Sequence, residues 1–178
     1  MTSGAAVLDA VFLDRDGTLN VKAPEGYVTR PDDLVLLPGA AAAVRRLNER
    51  GVPVLLVTNQ RCIARGLLSD AGYAAVAARL RRLLAAAGAR LDSEYVCPHD
   101  AGHCDCRKPL PGLLRRAAME RPGLDLRRCA LVGDTESDVA AGRAVGAATI
   151  RLAPMGTSSA ADATAPDLAA AVGLLLTG

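Results

Sequence analysis

Short apolar runs alternate with longer amphipathic segments along the chain. Five apolar runs predict buried strands, at residues 10–13, 52–57, 91–96, 129–132 and 147–152. Five segments of helical pattern predict helices, at residues 39–50, 70–87, 111–120, 137–145 and 166–176. The stretches at 17–38 and 153–165 are rich in Gly, Pro, Asp or other small residues, and they are predicted to be irregular loops.

The alternation of strands with helices predicts the fold class, which is α/β and Rossmann-like, with a mainly parallel sheet covered by helices on both faces. In such sheets, ligands bind outside the carboxyl ends of the strands. Three of the predicted strands end at Asp14, Thr58 and Asp134. We therefore expect these polar residues to meet at one edge of the sheet and to form the functional site.

The composition narrows the class of protein. The 178 residues, of which 51% are hydrophobic, predict a single domain over residues 1–178. No apolar run approaches the roughly 18 residues that span a bilayer, and residues 1–9 lack the features of a signal peptide, so we predict a cytoplasmic protein without a membrane partner. The net charge of +2 and the dispersed arginine pairs argue against a nucleic-acid partner.

The segment FLDRDGTLN is the first candidate for chemistry, because Asp14 and Asp16 follow directly on a predicted strand. Two acids at such a place often belong to a turn or a helix cap, but the pattern DxDGT is much rarer. Asp14 could attack phosphorus as a carboxylate and form an aspartyl-phosphate. Asp16 could donate a proton to the leaving oxygen and later accept one from water.

An anionic nucleophile that attacks a phosphate needs cations beside it. Asp134 in LVGDTESD could share a divalent ion with Asp14, and Mg²⁺ is the ion that such a pair favours. Lys108 and the Thr58 hydroxyl could bind the phosphoryl oxygens. Asp138 would support the ion or Lys108 from behind. Taken alone, Asp134 and Asp138 could also be a helix cap and an acid of the first helical turn.

Cysteine and histidine are concentrated in CPHDAGHCDCRKP, which contains three of the five cysteines and both histidines. In a reducing compartment, such clusters bind metal more often than they form disulfides. A set of three cysteines and one histidine suits a closed, tetrahedral Zn²⁺ site of structural type, here in the loop 97–106. The candidate ligands are Cys97, Cys104, Cys106 and either His99 or His103. Cysteines without a metal are the alternative interpretation. A zinc ion would hold the loop that leads directly into Arg107 and Lys108.

FLDRDGTLN, VTNQ, RKP and VGDTESD, in that order, resemble the four motifs of the haloacid dehalogenase superfamily of phosphatases. The resemblance spans roughly residues 10–152. Within that superfamily, GYV, LLPGA, TNQRCIARG, the cysteine cluster and CRKPLPG are similar to the heptose 1,7-bisphosphate 7-phosphatases, whose closest relatives are the histidinol-phosphate phosphatases. The resemblance implies a Mg²⁺-dependent phosphoric monoester hydrolase that acts on a small phosphorylated sugar.

The resemblance also implies a role for individual residues. The catalytic residues would be Asp14, Asp16, Thr58 and Lys108. The Mg²⁺ ligands would be Asp14, the backbone carbonyl of Asp16, and Asp134. The substrate would be bound by Lys22, Tyr27, Asn59, Gln60, Arg61 and Arg107. The Zn²⁺ ligands would be Cys97, His99, Cys104 and Cys106, with His99 preferred to His103.

The spacing of the motifs leaves no room for a separate cap domain. About forty residues separate Asp16 from Thr58, and a predicted helix and loop already occupy them. The interval from Thr58 to Lys108 is likewise filled by a helix, a strand and the cysteine loop. Substrate selection would fall to residues 20–30, to residues 59–66 and to the cysteine loop, around an open site. A chain of this capless layout is expected to be a monomer.

Three features depart from the heptose phosphatase pattern. Thr135 stands where a lysine usually follows the metal-binding aspartate, and Cys62 stands where a glycine is expected. The four-residue gap inside the cysteine cluster is closer to the histidinol-phosphate branch. Heptose 1,7-bisphosphate is the preferred substrate on these patterns, and histidinol phosphate is the alternative. A catalytically inactive, zinc-containing interaction module is a remote third hypothesis.

Overall fold

A computed structural model of the protein describes residues 8–177. The ends of the predicted 1–178 domain, residues 1–7 and 178, lie outside the described residues. The strands are β1 Ala10–Leu13, β2 Val54–Asn59, β3 Ser93–Cys97, β4 Cys129–Gly133, β5 Ala148–Leu152 and β6 Ala163–Ala165. They form one parallel sheet in the order β3-β2-β1-β4-β5-β6.

Helices cover both faces of this sheet. The α-helices within residues 8–177 are α1 Ala40–Glu49, α2 Asp70–Ala86, α3 Gly112–Glu120, α4 Glu136–Arg143 and α5 Leu168–Thr177. Two short 3₁₀ helices lie at Pro31–Asp33 and Leu126–Arg128. The apolar residues of α1, α2 and α5 pack on one face, and those of α3 and α4 pack on the other. The predicted α/β class is confirmed. None of the described helices is long and apolar enough to cross a membrane.

The central strand β1 shows why its sequence is a continuous apolar run. Val11 and Leu13 point into the core under α1, α2 and α5, whereas Ala10 and Phe12 join the core under α3 and α4. All four side chains are fully buried. A strand covered on both faces has no polar positions to alternate with, so its pattern is uniformly hydrophobic.

The end of the segment 153–165 corrects the sequence prediction, because it forms the edge strand β6 rather than a loop. Ile150 and Leu152 of β5 lie opposite Ala163 and Ala165. Asp162 leads into the strand and accepts hydrogen bonds from the Thr149 amide and hydroxyl at 2.8 and 2.7 Å. Three small residues show no pattern of apolar and polar positions that could predict a strand. Their extended conformation comes from pairing with β5.

The strand order places the functional site at the carboxyl ends of the neighbouring strands β1 and β4. From β1 the chain proceeds to β2 and β3 on one side, and it then returns to β4 on the other side of β1. The reversal leaves a crevice at the carboxyl ends of these two strands, where parallel sheets bind ligands. Asp14 follows β1 at this point, and its amide donates to the Val132 carbonyl of β4 at 3.0 Å.

Candidate active site

The strand ends bring most of the predicted site residues around one pocket of about 150 Å³. Those that line it are Asp14, Asp16, Lys22, Tyr27, Thr58, Asn59, Lys108, Asp134 and Asp138. Thr135, Ser137 and Gly26 complete the lining. The other predicted substrate contacts, Gln60, Arg61 and Arg107, are not among the lining residues.

Lys108 holds its ammonium between two carboxylates. Its Nζ atom lies 2.7 Å from Oδ1 of Asp14 and 2.6 Å from Oδ1 of Asp138. It also donates a hydrogen bond to the Val57 carbonyl at 2.8 Å. Burial alone would lower the pKa of Lys108, but Asp14 and Asp138 outweigh it and raise the pKa above its usual value. Lys108 is therefore a fixed positive charge beside Asp14.

Asp14 is buried, and this burial raises its pKa from 3.8 to about 7. The charge of Lys108 opposes the shift, while the charge of Asp138 adds to it. A cation bound next to Asp14 would favour its ionised form further. An ionised carboxylate with a neighbouring ammonium is suited to nucleophilic attack on a phosphate.

Gln60 joins two candidate catalytic residues from behind the pocket. Its Nε2 atom donates to Oδ2 of Asp16 at 2.9 Å and to the Thr58 hydroxyl at 2.8 Å. Gln60 is fully buried, so its amide serves these two residues rather than the open side of the pocket. Cys62, two residues further on, is also fully buried.

Asn59 and Arg61 connect β2 with the cysteine loop. Nδ2 of the Asn59 side chain donates to the Lys108 backbone carbonyl at 3.0 Å. The Lys108 backbone amide donates back to Oδ1 of Asn59 at 3.1 Å. Arg61 forms an ion pair with Asp100 inside the loop. These contacts fix the backbone from which the Lys108 side chain reaches Asp14.

The carboxylates of Asp14, Asp134 and Asp138 have oxygens within 4.8 Å of one another. Oδ1 of Asp134 is buried and has no hydrogen-bond partner among the described residues, and Oδ2 is paired with the Lys22 ammonium. A buried carboxylate oxygen without a partner costs free energy. Hard divalent cations prefer such oxygens. These residues therefore fit a Mg²⁺ ion.

Local sequence explains how two of these acids are placed. Gly17 has a φ of 88°, and a side chain there would run into the Asp134 carboxylate. Asp138 lies in the first turn of α4 and accepts from the Thr135 backbone amide at 3.1 Å as part of a capping box. It also accepts from the Thr135 hydroxyl at 2.6 Å. The interpretation of Asp138 as an acid of the first helical turn is thus correct, whereas the N-cap is Thr135 and not Asp134. Asp138 also contacts Lys108.

Sequence reasoning missed two residues of the site. Arg15 and Asn20 are both fully buried and both donate to the Asp16 carboxylate. An arginine between two acids gives no sign of burial in sequence, because such a residue is usually exposed. Asn20 also lacks a signal, since it lies in a stretch that reads as an irregular loop.

The cysteine cluster comes together as the sequence predicts. Cys97, His99, Cys104 and Cys106 have ligand atoms within 4.8 Å of one another, and His103 is not in the group. The Sγ atoms of Cys97 and Cys104 are 3.6 Å apart, and Nδ1 of His99 is 3.3 Å from Sγ of Cys106. Tetrahedral Zn²⁺ with Zn–S bonds of about 2.3 Å needs sulfur atoms roughly 3.8 Å apart. The group therefore fits a zinc ion.

Comparison with known proteins identifies the family. The profile of the haloacid dehalogenase-like hydrolases matches residues 14–146. The chain belongs to these hydrolases. This haloacid dehalogenase-like hydrolase is 40% identical over 140 residues to the D-glycero-beta-D-manno-heptose-1,7-bisphosphate 7-phosphatase of Bordetella bronchiseptica. The alignment covers 78% of this chain and 76% of that protein. The protein of the same name from Pseudomonas aeruginosa is 42% identical over 137 residues, covering 76% and 75%.

A solved structure agrees with these relatives. The crystal structure of D,D-heptose 1,7-bisphosphate phosphatase from B. bronchiseptica, complexed with magnesium and phosphate, matches with a TM-score of 0.85 and 35% sequence identity. The match covers 95% of this hydrolase and 98% of that chain. The predicted family, the Rossmann-like fold and the class of phosphoric monoester hydrolases are confirmed.

Proposed function

We propose that this hydrolase removes the 7-phosphate of D-glycero-D-manno-heptose 1,7-bisphosphate and releases heptose 1-phosphate and inorganic phosphate, with Mg²⁺ as its cofactor. The observation that carries the proposal is the buried Asp14 carboxylate, which lies 2.7 Å from the Lys108 ammonium in a pocket lined by further acids. The names of the similar proteins support the choice of substrate.

Asp14 is the nucleophile in the first half-reaction. One of its oxygens forms a bond to phosphorus, the bond from phosphorus to the sugar oxygen breaks, and that oxygen takes a proton from Asp16. Lys108 places its positive charge beside the phosphoryl oxygens as negative charge develops. Because the Thr58 hydroxyl accepts from Gln60, its own proton is left to bind a phosphoryl oxygen.

Asp16 acts again in the second half-reaction. Water attacks the phosphorus of the aspartyl-phosphate, and Asp16 accepts a proton from this water. The bond between phosphorus and Asp14 then breaks, which releases inorganic phosphate and restores the Asp14 carboxylate. The proton that Asp16 gave to the sugar oxygen is thereby replaced.

Asp14 and Asp134, which belong to the group of neighbouring carboxylates, would hold the Mg²⁺ ion together with the backbone carbonyl of Asp16, and Asp138 supports Lys108 beside it. When bound, the ion supplies positive charge that offsets the repulsion between phosphate and carboxylates. The relative that was crystallised with magnesium and phosphate supports this assignment. The unpartnered oxygen of Asp134 supports it independently.

A second metal, Zn²⁺, has a structural role bound to Cys97, His99, Cys104 and Cys106. The loop carries few apolar residues of its own, and a closed zinc site can contribute on the order of 10 kcal/mol to such a segment. The chain leaves the last ligand and continues at once into Arg107 and Lys108. The zinc ion thus holds the segment that carries the catalytic ammonium.

The second phosphate of the substrate requires a cation at the open side of the pocket. The Thr135 hydroxyl is hydrogen-bonded to Asp138 and Ser137, so it only caps α4 and adds no charge. Lys22 lines the same pocket, and its side chain is 52% exposed. Lys22 supplies the charge that a lysine at position 135 would give, and Tyr27 lines the pocket with it. Arg61 and Arg107, which do not line the pocket, would contact the substrate from outside it. We also propose that the enzyme works as a cytoplasmic monomer.

The decisive experiment measures phosphate release from heptose 1,7-bisphosphate and from histidinol phosphate, with Mg²⁺-free protein before and after addition of Mg²⁺. We expect Mg²⁺-dependent turnover of the heptose compound, lost in Asp14→Asn. The exposed Asp70→Asn at the start of α2 is the matched control and should keep full activity.

Each contrary result overturns a different part of the proposal. Turnover of histidinol phosphate alone replaces the substrate, as the short gap in the cysteine cluster would favour. Full activity of Asp14→Asn overturns the nucleophile. Retention on heparin or DNA at physiological salt, without turnover of any phosphomonoester, would instead favour an interaction module.

A further inference from the structure

Arg15 is a fully buried charge to which the mechanism above gives no role. Its guanidinium donates two hydrogen bonds to the Asp16 carboxylate, from Nε to Oδ2 at 3.2 Å and from Nη2 to Oδ1 at 3.1 Å. The ring of Tyr73 lies against the guanidinium, with 5.8 Å between Cζ and the ring centroid. A planar fork of this kind fixes both oxygens of a carboxylate at once.

Two buried amides complete the arrangement around Asp16. Asn20 donates from Nδ2 to Oδ1 at 2.9 Å, and Gln60 donates from Nε2 to Oδ2 at 2.9 Å. Gln60 also accepts from Nη2 of Arg15 at 3.2 Å, so the arginine and the amide hold each other. Each oxygen of Asp16 therefore receives two donors. These four hydrogen bonds fix the orientation of the Asp16 side chain.

We propose that Arg15 and Gln60 are positioning residues that hold Asp16 as the proton acceptor for the second half-reaction, the hydrolysis of the aspartyl-phosphate. A base must be placed accurately with respect to the water that it deprotonates. Neither residue lines the pocket, so Arg15 acts through Asp16, and Gln60 acts through Asp16 and Thr58. The inference rests on the proposed function, because it assumes the role given there to Asp16.

The test compares wild type with Arg15→Met on 2,4-dinitrophenyl phosphate, whose leaving group needs no proton. Formation of the aspartyl-phosphate then needs no proton from Asp16, and only its hydrolysis depends on the Asp16 carboxylate. We expect kcat to fall about 100-fold, a usual size for one general base, while kcat/KM changes little. Rapid quenching should detect a burst of dinitrophenolate and an equivalent of protein-bound phosphate.

Two further variants test whether loss of folding or a non-specific effect explains the result for Arg15→Met. Gln60→Met removes the donors to Asp16 and to the Thr58 hydroxyl without removing a charge. We expect a smaller fall in kcat than in Arg15→Met, with some fall in kcat/KM because Thr58 binds the phosphoryl group. Arg116→Met removes an exposed arginine that donates to Glu120 at 2.7 Å, and it should behave like wild type.

A merely structural role for Arg15 and Gln60 predicts a different pattern. In that case kcat and kcat/KM of Arg15→Met fall together as the fraction of folded enzyme falls, and no protein-bound phosphate accumulates in either variant. That result overturns the inference while leaving the proposed function in place. Absence of protein-bound phosphate in every active protein, wild type included, overturns the aspartyl-phosphate mechanism and the inference with it.

Discussion

The Nζ atom of Lys108 lies 2.6 Å from Oδ1 of Asp138, and both side chains are 2% exposed. Lys108 follows the cysteine loop, whereas Asp138 belongs to the first turn of α4. The ion pair therefore connects two elements that are distant in sequence. It holds the ammonium next to Asp14, within the group of carboxylates that fits a Mg²⁺ ion, namely Asp14, Asp134 and Asp138.

Replacement of Asp138 should be far more damaging than replacement of its neighbour Glu136. Asp138→Ala leaves a buried ammonium with one carboxylate fewer and also removes one half of the capping box of α4, so we expect a loss of about 3–5 kcal/mol of unfolding free energy. Glu136→Ala removes a half-exposed pair with Arg151 and should cost less than about 1 kcal/mol. Urea unfolding measures both, and equal losses would contradict the buried pair.

Gly17→Ala is predicted to weaken Mg²⁺ binding, because the added methyl group would come within 2.7 Å of Cγ of Asp134. Gly51→Ala is the matched control, since Gly51 also has a positive φ but faces open space. Both variants should lose about 1–2 kcal/mol of stability from backbone strain. Only Gly17→Ala should lose about 10- to 100-fold in Mg²⁺ affinity. Calorimetric titration with Mg²⁺ distinguishes the two, and unchanged affinity in Gly17→Ala would refute the placement of the ion.

The two histidines of the cysteine loop should differ in their effect on zinc. His99→Ala removes a ligand, so we expect less than one Zn²⁺ per chain by elemental analysis and a lower melting temperature. His103→Ala should keep both the metal and the melting temperature of the wild type, because His103 lies outside the ligand group. If His103→Ala lost the metal and His99→Ala kept it, His103 would be the ligand.

The dependence of stability on pH should reveal the buried Asp14. Its pKa is raised from 3.8 to about 7 in the folded protein, so folding favours the protonated form. The resulting stabilisation is fully present below about pH 4 and is lost as the pH rises to about 7. In Mg²⁺-free buffer, the unfolding free energy of wild type should therefore fall relative to that of Asp14→Asn across this range.

Chemical denaturation at a series of pH values tests this expectation. The exposed Asp70→Asn variant is the control, and its curve should run parallel to that of the wild type. If the curves of wild type and Asp14→Asn were also parallel between pH 4 and 7, Asp14 would not be the group that titrates there.

The fold could largely be predicted from sequence, because its main strands are buried on both faces and are therefore uniformly apolar. The run AVFL shows this for β1, and the helices carry the complementary period. The edge strand β6 was beyond this reasoning. Three small residues carry no pattern of their own, and their conformation comes from pairing with β5.

The sequence by itself determined that Asp14, Thr58 and Asp134 would share one edge of the sheet, because parallel strands present their carboxyl ends on the same side. It also determined the composition of the cysteine cluster, whose members are close along the chain. The motifs also predicted Lys108 beside Asp14, and the structure shows the direct ion pair across 94 positions. Only the tertiary structure decided that Arg15 turns inward to hold Asp16. Local pattern reports burial and turns, whereas contacts between distant charges depend on how the elements pack.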